Sequence, residues 1–410
     1  MVTTELLKKY ANLSLSIGVN IQPNQILVIK SPIECADFTR ILVEEAYKLG
    51  ASQVVVHWND EQCTRLNYLN SPIEVLETYP DWMVDSMLYY LKKGAAILSI
   101  SASDPDLMKD VPSEKIATAR KATSIANQEF NERLMKNENP WSIISLPTKG
   151  WASKVFPELP IDEAISKLWS KIFEVVRVTE TNPIKAWEDH KNNLIEKMNY
   201  LNKANLKSLH FKNSLGTDLI VDLAINHVWC GGAELSSSGI EFIANMPTEE
   251  IFTMPKKDGV NGKVISSKPL NYGGTLINNF SLTFKDGKVI NFEAEEGYDA
   301  LKNLLETDEG ASYLGEVALV PYDSPISNSN TIFFNTLYDE NASCHLAFGK
   351  AYNLTIKNGK EMSTDEIVAN GGNNSLIHVD FMIGTKDLEI TGICFDGNEV
   401  PIFKAGNWAF

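Results

Sequence analysis

Of six histidines in the 410-residue chain, two keep acidic company. His378 and Asp380 stand two apart in SLIHVDFMIG, whose composition predicts a strand. Residues i and i+2 of a strand project from one face, so this imidazole and carboxylate reach a common point. Such a pair suits a metal ion, and equally a buried histidine hydrogen-bonded to its neighbour. His345 follows Asp339 and Glu340 in LYDENASCHLAFG, where Asn and Ser favour an irregular path. Leu337 on one side and Leu346 to Phe348 on the other turn that stretch inward. The other histidines (His57, His190, His210, His227) have no carboxylate cluster near them in sequence.

In NMPTEEIFTMP, Pro247 and Pro255 bracket an extended segment in which Glu249 and Glu250 point to opposite sides, so one of them turns inward. Glu316 opens the apolar run EVALV after Gly315, and an acid at the edge of a buried strand is costly unless it is paired or coordinating. Taken singly, each is equally a strand cap or an exposed acid. Together, these carboxylates and two imidazoles offer mixed oxygen and nitrogen ligation suited to zinc, cobalt or manganese. They exceed what one four-coordinate ion needs. Two ions about 3.5 to 4 Å apart, sharing a bridging carboxylate, would use them all, which is the pattern of a dinuclear hydrolase. HExxH and GxSxG are absent from the sequence, and Cys344, diverging from its neighbour His345 on an extended segment, reads as a small packed residue.

The elements that must carry these residues are legible in outline. From about Leu206 the apolar period is two, in SLHFKNS, TDLIVDL and SLTFKDGKVINFEAE, the last with an Asp-Gly hairpin signal. Upstream, QILVIK, QVVVH and AAILSI are apolar without alternation, as strands buried on both faces are. Helical periodicity over 36–49 and 73–91 separates them, and the loops that follow them hold neither GxGxxG nor GxxxxGK[ST]. Helical patterns over 113–135, 161–178 and 183–201 form a connector. The expected fold is α/β plus α+β: an N-terminal doubly wound parallel sheet with helices and connector over 1–204, and a mainly antiparallel β, catalytic metal-binding domain over 205–410.

Composition narrows the class further. With 44% apolar and 22% charged residues, the chain has the mixture of a globular protein with a sizeable core. A formal charge of −16 opposes any nucleic-acid partner. Five scattered cysteines without a CxxC pair indicate neither a disulfide framework nor a thiolate zinc site, which fits a reducing cytoplasm. The N-terminus reads as a Thr-capped amphipathic helix rather than a secretion signal, and no apolar run of membrane-spanning length occurs, so no membrane partner is expected.

Three segments, NMPTEEIFTMPKKDGVNGKV, GEVALVPYDSPISNSNTIFFNTLYDENASCHLAFGKAY and NNSLIHVDFMIGT, resemble the signatures of the thermophilic metallo-aminopeptidase family, the aminopeptidase T and PepS group. The resemblance runs over essentially the whole chain. It implies a co-catalytic pair of divalent ions (zinc, cobalt, manganese or magnesium) held by Glu250, Glu316, Glu340, His345, His378 and Asp380, with Glu316 as the bridge. Tyr352, in GKAYN, matches a tyrosine beside the metals. The resemblance further implies release of N-terminal residues from peptides with a free N-terminus, by a homodimer whose sites face an enclosed cavity. In the expected mechanism, a metal-bound hydroxide attacks the peptide carbonyl, the Tyr352 hydroxyl stabilises the oxyanion, and Glu249 or Glu250 carries the proton to the leaving amine. The competing readings are a non-catalytic metal-binding regulator of the same fold and a dinuclear phosphoesterase. The latter needs cationic side chains near the metals, and the three motifs hold few.

Overall fold

A computed structural model describes residues 2–272 and 275–410. The chain forms two compact units, Met1–His190 with Ala233–Pro247, and Lys191–Gly232 with Thr248–Phe410. The division falls inside the Pro183–Lys203 helix, ahead of the 204/205 boundary expected from the sequence.

In the first unit four parallel strands stand in the order Gln53–Asn59, Ile26–Pro32, Ala96–Ser101, Trp141–Ser145. From Ile26–Pro32 the chain adds Gln53–Asn59 on one side and then Ala96–Ser101 and Trp141–Ser145 on the other, which is what makes the sheet doubly wound. Leu27, Val28, Ile29, Ala96 and Leu98 of the inner strands are fully buried, whereas Gln53–Asn59, at the sheet edge, is only part-buried despite its apolar run. The opening helix, Thr4–Leu13, is capped as expected: the Thr3 hydroxyl accepts the Leu6 N–H at 3.2 Å.

The helical connector differs from expectation. WSIIS at 141–145 is a fourth sheet strand, too short for its periodicity to stand out between longer helical patterns. Its Ile143 also exchanges backbone hydrogen bonds with Ala244 and Met246, at 2.8 and 2.9 Å, which ties the 233–247 segment to this unit. The expected 73–91 helix is two, Ile73–Leu76 and Asp81–Leu91. Pro80 divides them, because proline lacks the N–H and disfavours a helical residue before it.

The second unit stacks a nine-stranded sheet against a five-stranded one. The nine-stranded sheet contains the alternating hairpins, including Thr275–Lys285 with Lys288–Glu296. Their connection, Asp286-Gly287, has positive φ at both residues (49° and 81°), the geometry a two-residue hairpin demands. The five-stranded sheet runs His378–Met382, His345–Gly349, Leu314–Leu319, Ile251–Thr253, Cys230–Gly231, with every neighbouring pair antiparallel. One of its faces (Ile251, Val317, Leu319, Leu346, Phe348, Phe381) shares a core with Leu209, Phe211, Val221, Phe280 and Phe284 of the larger sheet. At about 1.5 to 3 kcal/mol per fully buried large apolar side chain, this face anchors the sheet and leaves the other free to carry polar groups. Among the described residues no helix is long and apolar enough to cross a membrane.

Candidate metal centre

The polar face of the five-stranded sheet follows from its register. Glu316 pairs with Ala347, and Ala347 with Asp380, so the three side chains share one face in a row. In the same pairing Phe252, Ala318 and His345 form a second row, and Gly349 stands opposite His378. Alternation therefore places Glu316, His345, His378 and Asp380 together, and Glu250, two residues before Phe252, enters from the adjoining strand. The intervening positions, Ala318, Ala347 and Gly349, carry small side chains.

One irregularity makes this possible. The register shifts between Leu314 and Glu316, so Gly315 is an extra residue in its strand. In a regular strand Leu314 and Glu316 would share a face. The bulge separates them, sending Leu314 into the apolar core and Glu316 to the polar side. Only glycine fits: a Cβ at 315 would lie 2.4 Å from Gly349 O and 2.5 Å from Lys350 O.

Two overlapping triads result, Glu250–Glu316–His345 and Glu316–His378–Asp380, each with ligating atoms within 4.8 Å of one another. His345 Nε2 lies 3.1 Å from Glu250 Oε2 and 3.5 Å from Glu316 Oε1. His378 Nε2 lies 3.8 Å from Glu316 Oε2 and 3.4 Å from Asp380 Oδ1. The two oxygens of Glu316 thus address different imidazoles. On the far side of each ring Nδ1 donates to a carbonyl, His345 to Ser343 O at 3.3 Å and His378 to Lys350 O at 2.7 Å. That bond fixes the tautomer and turns Nε2 inward, the arrangement metal-binding histidines use.

Charge in the cluster is unbalanced toward the acids. Burial and the nearby Asp380 and Glu250 carboxylates push Glu340 well above the usual carboxylate range, and burial raises Glu316 against the pull of His345. Burial alone would lower both imidazoles. The carboxylates override it, holding His345 well above its ordinary value and His378 at about 9, while His378 in turn lowers Asp380. Without a cation, the cluster can hold its charge only by retaining protons. Asp380 Oδ1 is buried, 3.4 Å from His378 Nε2. Buried carboxylate oxygens, inward-facing imidazole nitrogens and surplus acid fit divalent ions.

The remaining candidates are placed as follows. Glu340 lies outside both triads but within electrostatic reach of them. Tyr352 lies over His378, ring centroids 4.3 Å apart, and burial with the carboxylates of Glu316, Asp380, Glu340 and Glu250 raises its hydroxyl well above 10. Glu249 and Glu250 are both buried, where extended geometry alone would turn one inward. Asp339 is drawn away: its carboxylate accepts the N–H groups of Phe333 and Asn335 at 2.8 and 3.1 Å, closing its own loop. Cys344 is packed, its thiol donating to Val320 O, with burial pushing it up to about 12.

A carboxylate-rich cluster of this kind on a β sheet is the equipment of a metallohydrolase. The chain matches the thermophilic metalloprotease (M29) family over residues 3–408 and belongs to it. It is 50% identical over 404 residues to aminopeptidase 2 of Geobacillus stearothermophilus, with 98% of each chain covered. Identity to aminopeptidase AmpS of Bacillus subtilis is 48% over 407 residues, with 99% of each covered. The solved structure of wild-type AmpT from Thermus thermophilus superposes with a TM-score of 0.94 at 40% identity, covering 100% of both chains.

Proposed function

We propose that this chain is a metal-dependent aminopeptidase that releases N-terminal residues from peptides using two divalent ions. Glu250, Glu316, Glu340, His345, His378 and Asp380 would hold them, with Glu316 as the bridge. The observation that carries this reading is the position of Glu316, whose two carboxylate oxygens face His345 and His378 respectively. The family match and the names of the relatives support the reaction class.

When bound, such ions supply Lewis acidity for the scissile carbonyl and a water acidified enough to attack near neutral pH. The protein's own groups do the rest. Tyr352, whose ring lies over His378, would donate its hydroxyl proton in a hydrogen bond to the developing oxyanion. Glu249, buried next in sequence to Glu250, would carry a proton to the leaving amine. A metal ion, or a carboxylate such as Glu249 that the ions leave unneutralised, would bind the free α-amine, which an internal peptide bond lacks. The donor set accepts zinc, cobalt, manganese or magnesium. The same proposal takes the protein as a cytoplasmic homodimer, with residues 205–410 as catalytic domain and 1–204 as the α/β domain with its connector.

The test is hydrolysis of leucyl and arginyl p-nitroanilides by metal-stripped protein resupplied with each ion, beside an N-acetylated substrate and a phosphate monoester. Metal-restored cleavage that acetylation abolishes is expected. Cleavage of the phosphate ester alone, or of nothing despite bound metal, would refute the proposal.

A further inference from the structure

Glu249–Glu250 and Glu340 reach the site from segments about ninety residues apart, and one buried side chain touches both. Asn341 is wholly buried in the Glu340–Ala342 turn. Its Oδ1 accepts the backbone N–H of Glu249 at 2.7 Å. Its Nδ2 donates to Leu337 O at 3.2 Å and to Glu340 Oε1 at 3.4 Å. The amide orientation is not free: only the oxygen can face an N–H, which commits the nitrogen to the carbonyl and the carboxylate. The backbone carbonyl of Asn341 is fixed in turn by the Ser324 hydroxyl at 3.2 Å.

We infer that Asn341 is a positioning residue, holding the Glu249–Glu250 segment and the Glu340 carboxylate in register for metal binding; the inference rests on the metal-dependent reading above. The chemistry of the position selects asparagine. Aspartate would keep the acceptor for Glu249 but lose the donor and set a negative oxygen against Glu340. Leucine would keep the shape and lose all three bonds. Glutamine adds one methylene at a position that is wholly buried. Because the tethered amide belongs to Glu249, it also sets the direction in which the next residue, Glu250, leaves the chain toward His345.

The experiment uses full-length metal-stripped wild-type protein, N341D, N341L and S324A, titrated with zinc in competition with a chromophoric chelator. Far-UV circular dichroism and melting with EDTA check folding, and two chemically different Asn341 variants guard against the loss of one. Partners that orient metal ligands are worth about 10- to 100-fold in affinity. N341D and N341L should therefore bind at least one ion about 10- to 100-fold more weakly. S324A, which removes the bond to the Asn341 carbonyl but leaves the amide in place, should weaken zinc binding less than either Asn341 variant. Wild-type affinity in either folded Asn341 variant would overturn the inference, as would equal weakening in S324A. Wild-type protein that binds no zinc would instead sink the metal reading on which the inference depends.

Discussion

Gly315→Ala adds one methyl group to the bulge that sends Glu316 to the polar face. The new Cβ would meet Gly349 O at 2.4 Å and Lys350 O at 2.5 Å, both backbone atoms, where ordinary contacts begin at 3.4 Å. The Leu314–Leu319 strand and the turn after His345–Gly349 must therefore separate by about 1 Å, and neither clash can be relieved by a side-chain rotation. Glu316 is the adjacent residue, so its carboxylate moves with the strand. Displacements of that size at a reacting centre lower turnover by about 10²-fold. The strain itself should destabilise the fold by roughly 1 to 3 kcal/mol, the range for overpacked sites. The assay is kcat on leucyl p-nitroanilide at saturating metal, with zinc affinity and thermal melting in parallel. A folded G315A with wild-type kcat and wild-type metal affinity would refute the claim that this bulge aims the Glu316 carboxylate.

Further outcomes follow from the same geometry. Tyr352→Phe should lower kcat by about 10²-fold with metal content unchanged, as loss of one oxyanion donor does, and an unaltered kcat would leave the ring as packing against His378. In metal-free protein the folded pKa of His378, about 9, lies above its ordinary value, so its stabilisation is complete below about 6.5 and is lost as pH rises through 9. Raised Glu316 and Glu340 act with the same sign. The melting temperature of metal-free protein should therefore fall across that window, and metal binding at pH 7 should release protons, visible by calorimetry in buffers of different ionisation enthalpy. No proton release would contradict the protonation of the metal-free cluster. Light scattering at micromolar concentration should give about twice the single-chain mass of 45.6 kDa, and a value near 45.6 kDa would remove the homodimer.

The parts of the molecule written in local patterns are legible in the amino-acid sequence. Unbroken apolar runs locate three of the four parallel strands, and His378 and Asp380 share a face because a strand alternates. What escapes a reading of the sequence depends on contacts between distant segments. Whether Glu249 or Glu250 turns inward is undecidable from alternation, because both are buried where the segment bends into the Ile251–Thr253 strand. The Gly315 bulge exists only relative to its partner strand, so its effect on Glu316 has no local signature beyond a glycine before an acid. Asp339 has the same credentials as Glu340 in sequence, yet two backbone N–H groups of its own loop claim it. Asn341, by residue type only a marker of irregular chain, acts across ninety-two positions.

That Glu316 bridges two ions can be put to a stoichiometric activity titration. Metal-stripped protein receives cobalt in fractional equivalents while leucyl p-nitroanilide cleavage and bound metal per chain are followed together. Activity should rise to a plateau at two ions per chain, and Glu316→Gln should neither reach that stoichiometry nor recover turnover. Full activity at one ion per chain, or a Glu316→Gln protein that binds two ions and cleaves at the wild-type rate, would contradict the bridged pair.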